Sequence, residues 1–297
     1  MNNKTCIIVA GPTAVGKTAF AINMAQHFST EIISADSRQC YKEMKIGVAR
    51  PSDEELAAVP HHFIASHSIY ENINAAYFEK YALEKVAEIF QKNEVVVLTG
   101  GTGLYIKAFC EGLDEIPEVD TGLRNEIIAA YNQHGISWLQ QALEKEDSLF
   151  FTRGEMQNPQ RMMRALEIVR TTGRSILEYR LANKKQRPFR IVKIGLELPR
   201  AELYHRINQR VEVMMNEGLL QEAKALYPSR RLNALQTVGY RELFDYFDGT
   251  VSLEKAVELI KQNTRHYAKR QLTWFKRDVK MKWVSPYSAA DAIHEFY

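Results

Sequence analysis

Several features that mark secreted and membrane proteins are scarce or missing in this sequence. Only three cysteines, Cys6, Cys40 and Cys110, occur in 297 residues. Their odd number and wide spacing fit neither a disulfide framework nor a zinc motif, so we expect buried free thiols. There is no run of about 18 apolar residues, which argues against a membrane span. The opening MNNKTCIIVAGP lacks the regions of a secretion signal, so we expect a cytoplasmic protein.

Strong net charge is also missing, since the chain carries only +3, but the charge is unevenly distributed. Residues 153–190 contain ten Lys and Arg against three Asp and Glu, and residues 261–283 contain eight against one. The two segments together carry +14, so the rest of the chain is acidic. Two basic segments on an acidic body indicate a polyanionic partner such as nucleic acid, although solvated helix faces would give the same pattern.

The clearest motif that is present lies near the N-terminus, in IVAGPTAVGKT at residues 7–17 followed by Thr18. Glycines allow the backbone to fold into a tight loop whose N–H groups point inward at a phosphate, and the N-terminus of the following helix adds its positive dipole end. Lys17 supplies a cation, and the Thr18 hydroxyl can bind magnesium. We predict a phosphate-binding loop, with Thr18 as the metal ligand, that consists of Gly11, Pro12, Thr13, Ala14, Val15, Gly16, Lys17 and Thr18.

Strand and helix patterns alternate around this loop. Apolar strands at about 4–10, 31–36 and 94–101 each precede a helical pattern, which is typical of an α/β fold, here a P-loop NTPase-like parallel sheet flanked by helices. Residues 115–187 show no good strand and predict an inserted all-helical lobe, after which 189–198 returns to the sheet. We therefore predict that residues 1–114 and 188–297 form the core with C-terminal helices, and that 115–187 form the helical lobe.

Asp36 is the acidic residue that follows a predicted strand. The strand at 94–98 is instead followed by TGGT at 99–102, without the carboxylate that kinases and nucleotide hydrolases use to hold their metal. Because parallel strands point their carboxyl ends at one crevice, Asp36, Thr18 and Thr102 should meet there. Asp36 could be a metal ligand, a general base or a cap for a following helix.

Six blocks occur in order along the chain: GPTAVGKT, ISADSRQCY, GGTGLY, NPQRMMRALEI, TVGYRE and YAKRQLTWFK. Together they resemble the signature blocks of the tRNA dimethylallyltransferase (tRNA isopentenyltransferase) family, of the bacterial type without a zinc-finger extension. The resemblance implies transfer of a dimethylallyl group from dimethylallyl diphosphate to N6 of the adenosine on the 3′ side of the tRNA anticodon, with release of diphosphate and Mg²⁺ as cofactor. The rival interpretation of the loop is a P-loop small-molecule kinase using ATP.

The resemblance also implies roles for individual residues. Asp36 is the expected general base, Thr102 its hydrogen-bonding helper, and Lys17 a stabiliser of the leaving diphosphate. Arg206 and Arg210, one helical turn apart, are either diphosphate ligands or an exposed salt-bridged pair; the predicted site includes Arg210. The anticodon stem-loop of tRNA is expected to contact Asp36, Ser37, Arg38, Gln39, Thr102, Arg124, Gln160, Arg161, Met162, Met163, Arg164, Tyr240, Arg241, Lys269 and Arg270.

The two basic segments have helical patterns. Residues 158–173 predict a helix that has Asn158 as its N-cap, Pro159 in its first turn and Gly173 at its end. In the second segment we predict that Trp274 packs in the core, with stacking on a base as the alternative. No heptad pattern or obvious interface is present, so we expect a monomer without membrane contact.

Overall fold

A computed structural model describes residues 4–180 and 184–288. The chain divides into two compact units, one formed by Met1–Glu111 with Gln186–Tyr297 and the other by Gly112–Lys185. The second unit occupies the part of the chain for which the sequence predicts a helical lobe. Each unit has a hydrophobic core of its own.

The first unit is built on a six-stranded sheet in which every neighbouring pair is parallel. Its strands are β1 (Thr5–Ala10), β2 (Ile32–Ser34), β3 (His61–His62), β4 (Val95–Gly100), β5 (Arg190–Leu196) and β6 (Lys282–Val284), in the spatial order β3-β2-β4-β1-β5-β6. The predicted α/β parallel sheet is confirmed. The sequence missed β3 and β6, because strands of two and three residues are too short to show a hydrophobic period.

Helices connect the strands and make up the second unit. In chain order they are α1 (Lys17–His27), α2 (Asp53–Ala58), α3 (Ala75–Ile89), α4 (Gly103–Glu111), α5 (Thr121–Glu146), α6 (Ser148–Arg153), α7 (Pro159–Thr172), α8 (Arg200–Asn216), α9 (Leu219–Leu226), α10 (Tyr240–Phe247) and α11 (Leu253–Phe275). Helices α5, α6 and α7 belong to the second unit. Among the described residues, no helix combines the length and the apolar character needed to cross a bilayer.

The inner strands β1, β2 and β4 are buried nearly throughout, so they lie in the interior of the unit. Val9 of β1, Val97 of β4 and Ile194 of β5 are at most 1% exposed and share one core with Phe20 of α1. Burial of each such side chain contributes about 1.5–3 kcal/mol to folding. The three cysteines are buried free thiols, as predicted.

Helix α7 begins and ends at the residues that the sequence predicts. The Asn158 side chain accepts a hydrogen bond from the backbone N–H of Arg161 at 3.2 Å, and Pro159 occupies the first helical position. Gly173 ends the helix in the left-handed region, with φ 71°. The predicted caps of this helix are therefore confirmed.

Candidate active site

The register of the sheet brings three loops to one edge. Ala10 of β1 pairs with Gly100 of β4, and Ser34 of β2 pairs with Thr99. The phosphate loop after β1, the turn that carries Asp36 after β2, and the glycine-rich loop after β4 therefore begin side by side. This arrangement is the one expected where parallel strands end.

A pocket of about 1170 Å³ opens at this edge and lies within the first unit. Besides the phosphate loop and the Asp36 turn, its lining includes residues of α8, α10 and α11. The predicted site residues in its wall are Thr13, Ala14, Gly16, Lys17, Thr18, Asp36, Ser37, Arg38, Gln39, Arg210, Arg241 and Arg270. The buried loop residues Gly11, Pro12 and Val15 support the wall from within the protein.

The phosphate loop ends at Gly16, whose φ of 104° lies in the left-handed region that strains residues with a side chain. Lys17 follows at the start of α1, and its Nζ donates a hydrogen bond to the Pro12 carbonyl at 2.7 Å. Desolvation lowers the pKa of Lys17 to about 8; the Asp36 carboxylate opposes this shift and the Arg210 guanidinium adds to it. Lys17 therefore remains mostly protonated at neutral pH.

Helix α8 gives its two arginines different partners. The Nη1 of Arg210 lies 3.5 Å from Oγ1 of Thr13, so its guanidinium faces the phosphate loop. Arg206 pairs with Glu202 at 3.2 Å and lies over the ring of Tyr287. Arg210 is thus placed as a diphosphate ligand would be, whereas Arg206 forms a salt bridge.

Asp36 uses its two carboxylate oxygens differently. Its Oδ1 accepts hydrogen bonds from the backbone N–H groups of Arg38 at 2.9 Å and Gln39 at 3.2 Å, which caps the turn after β2. Its Oδ2 has no hydrogen-bond partner in the described part of the chain, and the residue lines the pocket. Capping and proton acceptance, which the sequence leaves as alternatives, are therefore compatible in one carboxylate.

Thr102 contacts Ser37 and not Asp36. Its Oγ1 accepts a hydrogen bond from the Ser37 backbone N–H at 3.0 Å and donates to the Ser37 Oγ at 3.3 Å. Thr102 is also outside the pocket lining. The threonine therefore fixes the turn at the residue after Asp36, and its predicted role as a hydrogen-bonding helper stays a prediction.

Neighbouring residues of the Asp36 turn also bond to protein groups. Gln39 Nε2 donates to the carbonyls of Ala49 at 2.8 Å and Val48 at 3.3 Å, and Arg38 Nη1 donates to the Asn233 carbonyl at 2.9 Å. These side chains shape the turn and its surrounding wall. A contact with RNA would have to share or replace these bonds.

Three of the predicted RNA-contacting side chains are core residues. Met162 and Met163 are 0% and 5% exposed within the core of the second unit. Tyr240 is fully buried, and its hydroxyl donates to Glu222 at 2.6 Å. Because buried side chains offer no surface to RNA, these predicted contacts are corrected: the methionines form the apolar stripe of α7, and the tyrosine supports the pocket wall.

The predicted arginine contacts of the second unit reach the surface but are already ion-paired. Arg164 lies 3.0 Å and Arg124 lies 3.7 Å from the same carboxylate, the buried Glu167. Arg161 pairs with Glu155, and Gln160 is exposed. Much of this basic segment thus consists of ion-paired helix faces, with Arg124 and Arg164 held together by one acidic residue.

Helix α11 and Lys276, the residue directly after it, carry both ion-paired and unpaired cations. Lys261 pairs with Glu212 and Glu258, and Lys276 pairs with Glu197 at 3.0 Å. The predicted contacts Lys269 and Arg270, by contrast, are exposed and have no ion pair among the described residues. These two cations are available to a polyanion.

Trp274 is not a core residue, contrary to the prediction. It is 36% exposed, and its indole lies against Gly103, where a β-carbon would sit 2.2 Å from the ring. The prediction failed because helical periodicity carries no information about distant packing partners. Here a glycine in another segment leaves room for the large ring at the surface.

The sequence analysis missed Gln271 as a site residue. This side chain is 6% exposed, lines the pocket and bonds both the phosphate loop and the loop after β4. The available signal was its place inside the YAKRQLTWFK block, which we interpreted only through its cations and aromatic residues.

Comparison with known proteins agrees with this arrangement. A family model described as IPP transferase matches residues 39–278. The chain belongs to the IPP transferase family. The tRNA dimethylallyltransferase of Flavobacterium johnsoniae is 50% identical over 286 residues, covering 94% of this chain and 93% of the relative.

Solved structures of similar proteins extend over both units. The full-length tRNA isopentenylpyrophosphate transferase of Bacillus halodurans is 37% identical, with a TM-score of 0.73 over 99% of this chain and 95% of that one. A eukaryotic dimethylallyltransferase acting on tRNA is 26% identical, with a TM-score of 0.76 over 94% of this chain and 74% of that one. The IPP transferase match begins after the phosphate loop and Asp36. The roles of those residues are therefore argued from the pocket itself.

Proposed function

We propose that this chain transfers a dimethylallyl group from dimethylallyl diphosphate to N6 of the adenosine on the 3′ side of the tRNA anticodon, releasing diphosphate. The observation that carries the proposal is the single pocket that holds both the phosphate loop and the Asp36 carboxylate. Membership in the IPP transferase family, and relatives whose names specify this transfer to tRNA, support it. Every residue that the proposal uses lies in one chain, so a monomer suffices.

The leaving group determines what the phosphate loop must do. When the allylic C–O bond breaks, its electron pair stays on the diphosphate. Backbone N–H groups of the loop, the Lys17 ammonium and the Arg210 guanidinium are positioned to stabilise charge that develops there. Such preorganised donors accelerate a reaction because they require no reorganisation when the charge forms.

The nucleophile determines what Asp36 must do. The lone pair of the adenine N6 is delocalised into the ring, so N6 must lose a proton as it bonds to the allylic carbon. The free Oδ2 of Asp36 can accept that proton while Oδ1 holds the turn. The adenine must leave its stack to enter the pocket, as in other enzymes that act on a base.

A magnesium ion fits the donors around this pocket. No group of three or more His, Cys, Asp or Glu side chains within the described ranges could hold a metal by itself. Magnesium commonly takes one or two protein oxygens and completes its shell with water and substrate phosphate. The Thr18 hydroxyl in the pocket wall would hold such an ion, which would neutralise diphosphate charge when bound.

The rival activity, a small-molecule kinase using ATP, has less support. A kinase needs an acidic metal ligand to manage the γ-phosphate. At the end of β4 the pocket wall contains Thr99 and Gly100, where such a carboxylate would stand. The names of the relatives, which describe transferases acting on tRNA, likewise do not favour a kinase.

The direct experiment is incubation of the purified chain with an unmodified tRNA and labelled dimethylallyl diphosphate, or with labelled ATP. We expect label from the diphosphate substrate to enter tRNA, and mass analysis of anticodon-loop nucleosides should find a dimethylallyl group on the adenosine 3′ to the anticodon. Label transferred only from ATP, to a small molecule, would support the kinase and overturn the proposal.

Binding of the anticodon stem-loop should weaken steeply with salt, because each cation–phosphate contact contributes about 0.7–0.9 to the slope of log affinity against log salt. Lys269→Ala and Arg270→Ala should each reduce that slope by about this amount. Lys276→Ala, at the residue directly after α11, is the matched control, since its side chain pairs with Glu197. Fluorescence anisotropy at several salt concentrations measures the slope, and a slope near zero for the parent protein would contradict RNA as the partner.

A further inference from the structure

Gln271 connects two parts of the active site through both ends of one amide. Its Oε1 accepts a hydrogen bond from the Thr13 backbone N–H at 2.8 Å, and its Nε2 donates to the Gly101 carbonyl at 2.9 Å. A backbone N–H only donates and a carbonyl only accepts, so these partners fix the orientation of the amide. The side chain is 6% exposed, so it has little access to water and relies on these protein partners.

The loop after β4 is shaped to receive this amide. A β-carbon at Gly101 would lie 2.2 Å from the Gln271 Nε2. Only glycine at this position therefore leaves room for the Gln271 amide to donate to the Gly101 carbonyl. One helical turn later, Trp274 packs against Gly103 in the same way. The GGTG and QLTW segments are therefore complementary surfaces, which explains two motifs that the transfer chemistry alone does not.

The phosphate loop needs an external support at this point. Ala14, directly after Thr13, has a φ of 65°, in the left-handed region that costs free energy for a residue with a side chain. Strained turns of this kind persist only where the surrounding structure holds them. The hydrogen bond from Thr13 to Gln271 is a contact that holds this one from outside the loop.

The bridge also leads toward the general base. Gly101 precedes Thr102, whose hydroxyl holds Ser37 by its backbone N–H, and Ser37 follows Asp36. Thr13, Gln271, Gly101, Thr102 and Ser37 thus form one continuous series of hydrogen bonds and adjacent residues. It joins the loop that binds the leaving group to the turn that carries the proton acceptor.

We propose that Gln271 is a positioning residue that holds the phosphate loop in its diphosphate-binding conformation and fixes its distance from the Asp36 turn. This inference rests on the proposed function for its substrate, dimethylallyl diphosphate. Gln271 touches neither reacting atom; it acts through Thr13 and Gly101.

The test compares Gln271→Met, which keeps the length of the side chain and removes both hydrogen bonds, with the parent protein. Inorganic diphosphate binding, measured by calorimetry without tRNA, should weaken about tenfold, the effect of one to two net hydrogen bonds. KM for dimethylallyl diphosphate should rise by a similar factor, while KM for tRNA stays within about twofold, because neither direct partner of Gln271, Thr13 or Gly101, is among the residues expected to contact tRNA. Gln262→Met, an exposed position on the same helix, is the matched control and should match the parent.

Gly101→Ala should break the same hydrogen-bond bridge while leaving residue 271 as glutamine. The added methyl group would displace the end of a flexible side chain, so the fold should persist while the bridge breaks. Because both substitutions remove one bridge, the double variant should lose no more affinity than either single variant. Gln271→Glu keeps an acceptor for the Thr13 N–H but cannot donate to Gly101 and places a negative charge against its carbonyl, so it should also bind diphosphate more weakly than the parent.

The outcomes separate this inference from the proposed function. Diphosphate binding by Gln271→Met or Gly101→Ala that equals the parent's would overturn the bridge, as would losses that multiply in the double variant. A parent protein that binds diphosphate but transfers no dimethylallyl group to tRNA would instead refute the proposed function. Diphosphate binding would still test the bridge in that case, because the measurement needs neither the allylic group nor RNA.

Discussion

Replacing Asp36 with asparagine is expected to lower kcat for dimethylallyl transfer by about 10²–10⁴-fold, the usual contribution of a general base. Asparagine keeps the Oδ1 acceptor that caps the amides of Arg38 and Gln39, but puts an amide nitrogen in place of Oδ2. The variant should therefore keep its turn and lose its proton acceptor. Single-turnover kinetics with saturating tRNA and dimethylallyl diphosphate measure the chemical step directly.

Asp36→Ala distinguishes the two uses of the carboxylate. It should lose the same catalytic factor and bind tRNA nearly as the parent does. Because it also loses the cap, its free energy of unfolding should fall by about 1 kcal/mol, a loss that Asp36→Asn avoids.

Asp53→Asn is the matched control for charge, since this carboxylate lines the same pocket and its side chain is 82% exposed. It should leave kcat unchanged. If Asp36→Asn turned over at the rate of the parent, Asp36 would be removed from the mechanism and its role reduced to the cap.

The parts of the site that could be predicted from sequence are those fixed by neighbouring residues. Gly16-Lys17-Thr18 after an apolar strand defines a loop and the start of a helix by local geometry alone, and the structure has both there. Asp36 follows β2 closely, so parallel pairing of β2 with β4 was enough to place it at the shared edge. The caps of α7 were predictable for the same reason, because Asn158 bonds within its own first turn.

The errors arose where a side chain depends on a distant segment. Tyr240 is buried because its hydroxyl reaches Glu222, which also accepts hydrogen bonds from the backbone of Lys45, 177 residues earlier in the chain. The Gln271 bridge joins residues 258 and 170 positions apart. Hydrophobic periodicity reports which face of a helix is apolar, but not which loop will meet it.

Thr102 illustrates an intermediate case. Its position near the Asp36 turn could be predicted from the parallel strands, and the structure places it there. Which atom its hydroxyl would meet depended on a shift of one residue along the turn, which no sequence pattern specifies. The prediction therefore placed the residue beside the Asp36 turn without specifying which group its hydroxyl would bond.

Replacing Lys17 with methionine is expected to lower kcat/KM for dimethylallyl diphosphate by about 10²–10³-fold, the usual cost of removing one donor to a developing anion. KM for tRNA should change little, because the Nζ lies in the phosphate loop and donates to Pro12. Lys17→Arg keeps a cation and should retain more activity, although its planar group fits the loop less well. Lys107→Met, at an exposed position outside the pocket, is the control for loss of a lysine.

The pH dependence of the parent protein gives a second test of the same cation. Lys17 is charged below its pKa, which desolvation lowers to about 8, so kcat/KM for dimethylallyl diphosphate should fall as pH rises through that value. Bound diphosphate favours the ammonium form, so the decline in kcat should begin at higher pH than the decline in kcat/KM. Lys17→Arg should show no decline in this range, because the guanidinium pKa is above about 12. A kcat/KM for the parent that stayed flat over about two pH units around this pKa would contradict Lys17 as the cation that receives the leaving diphosphate.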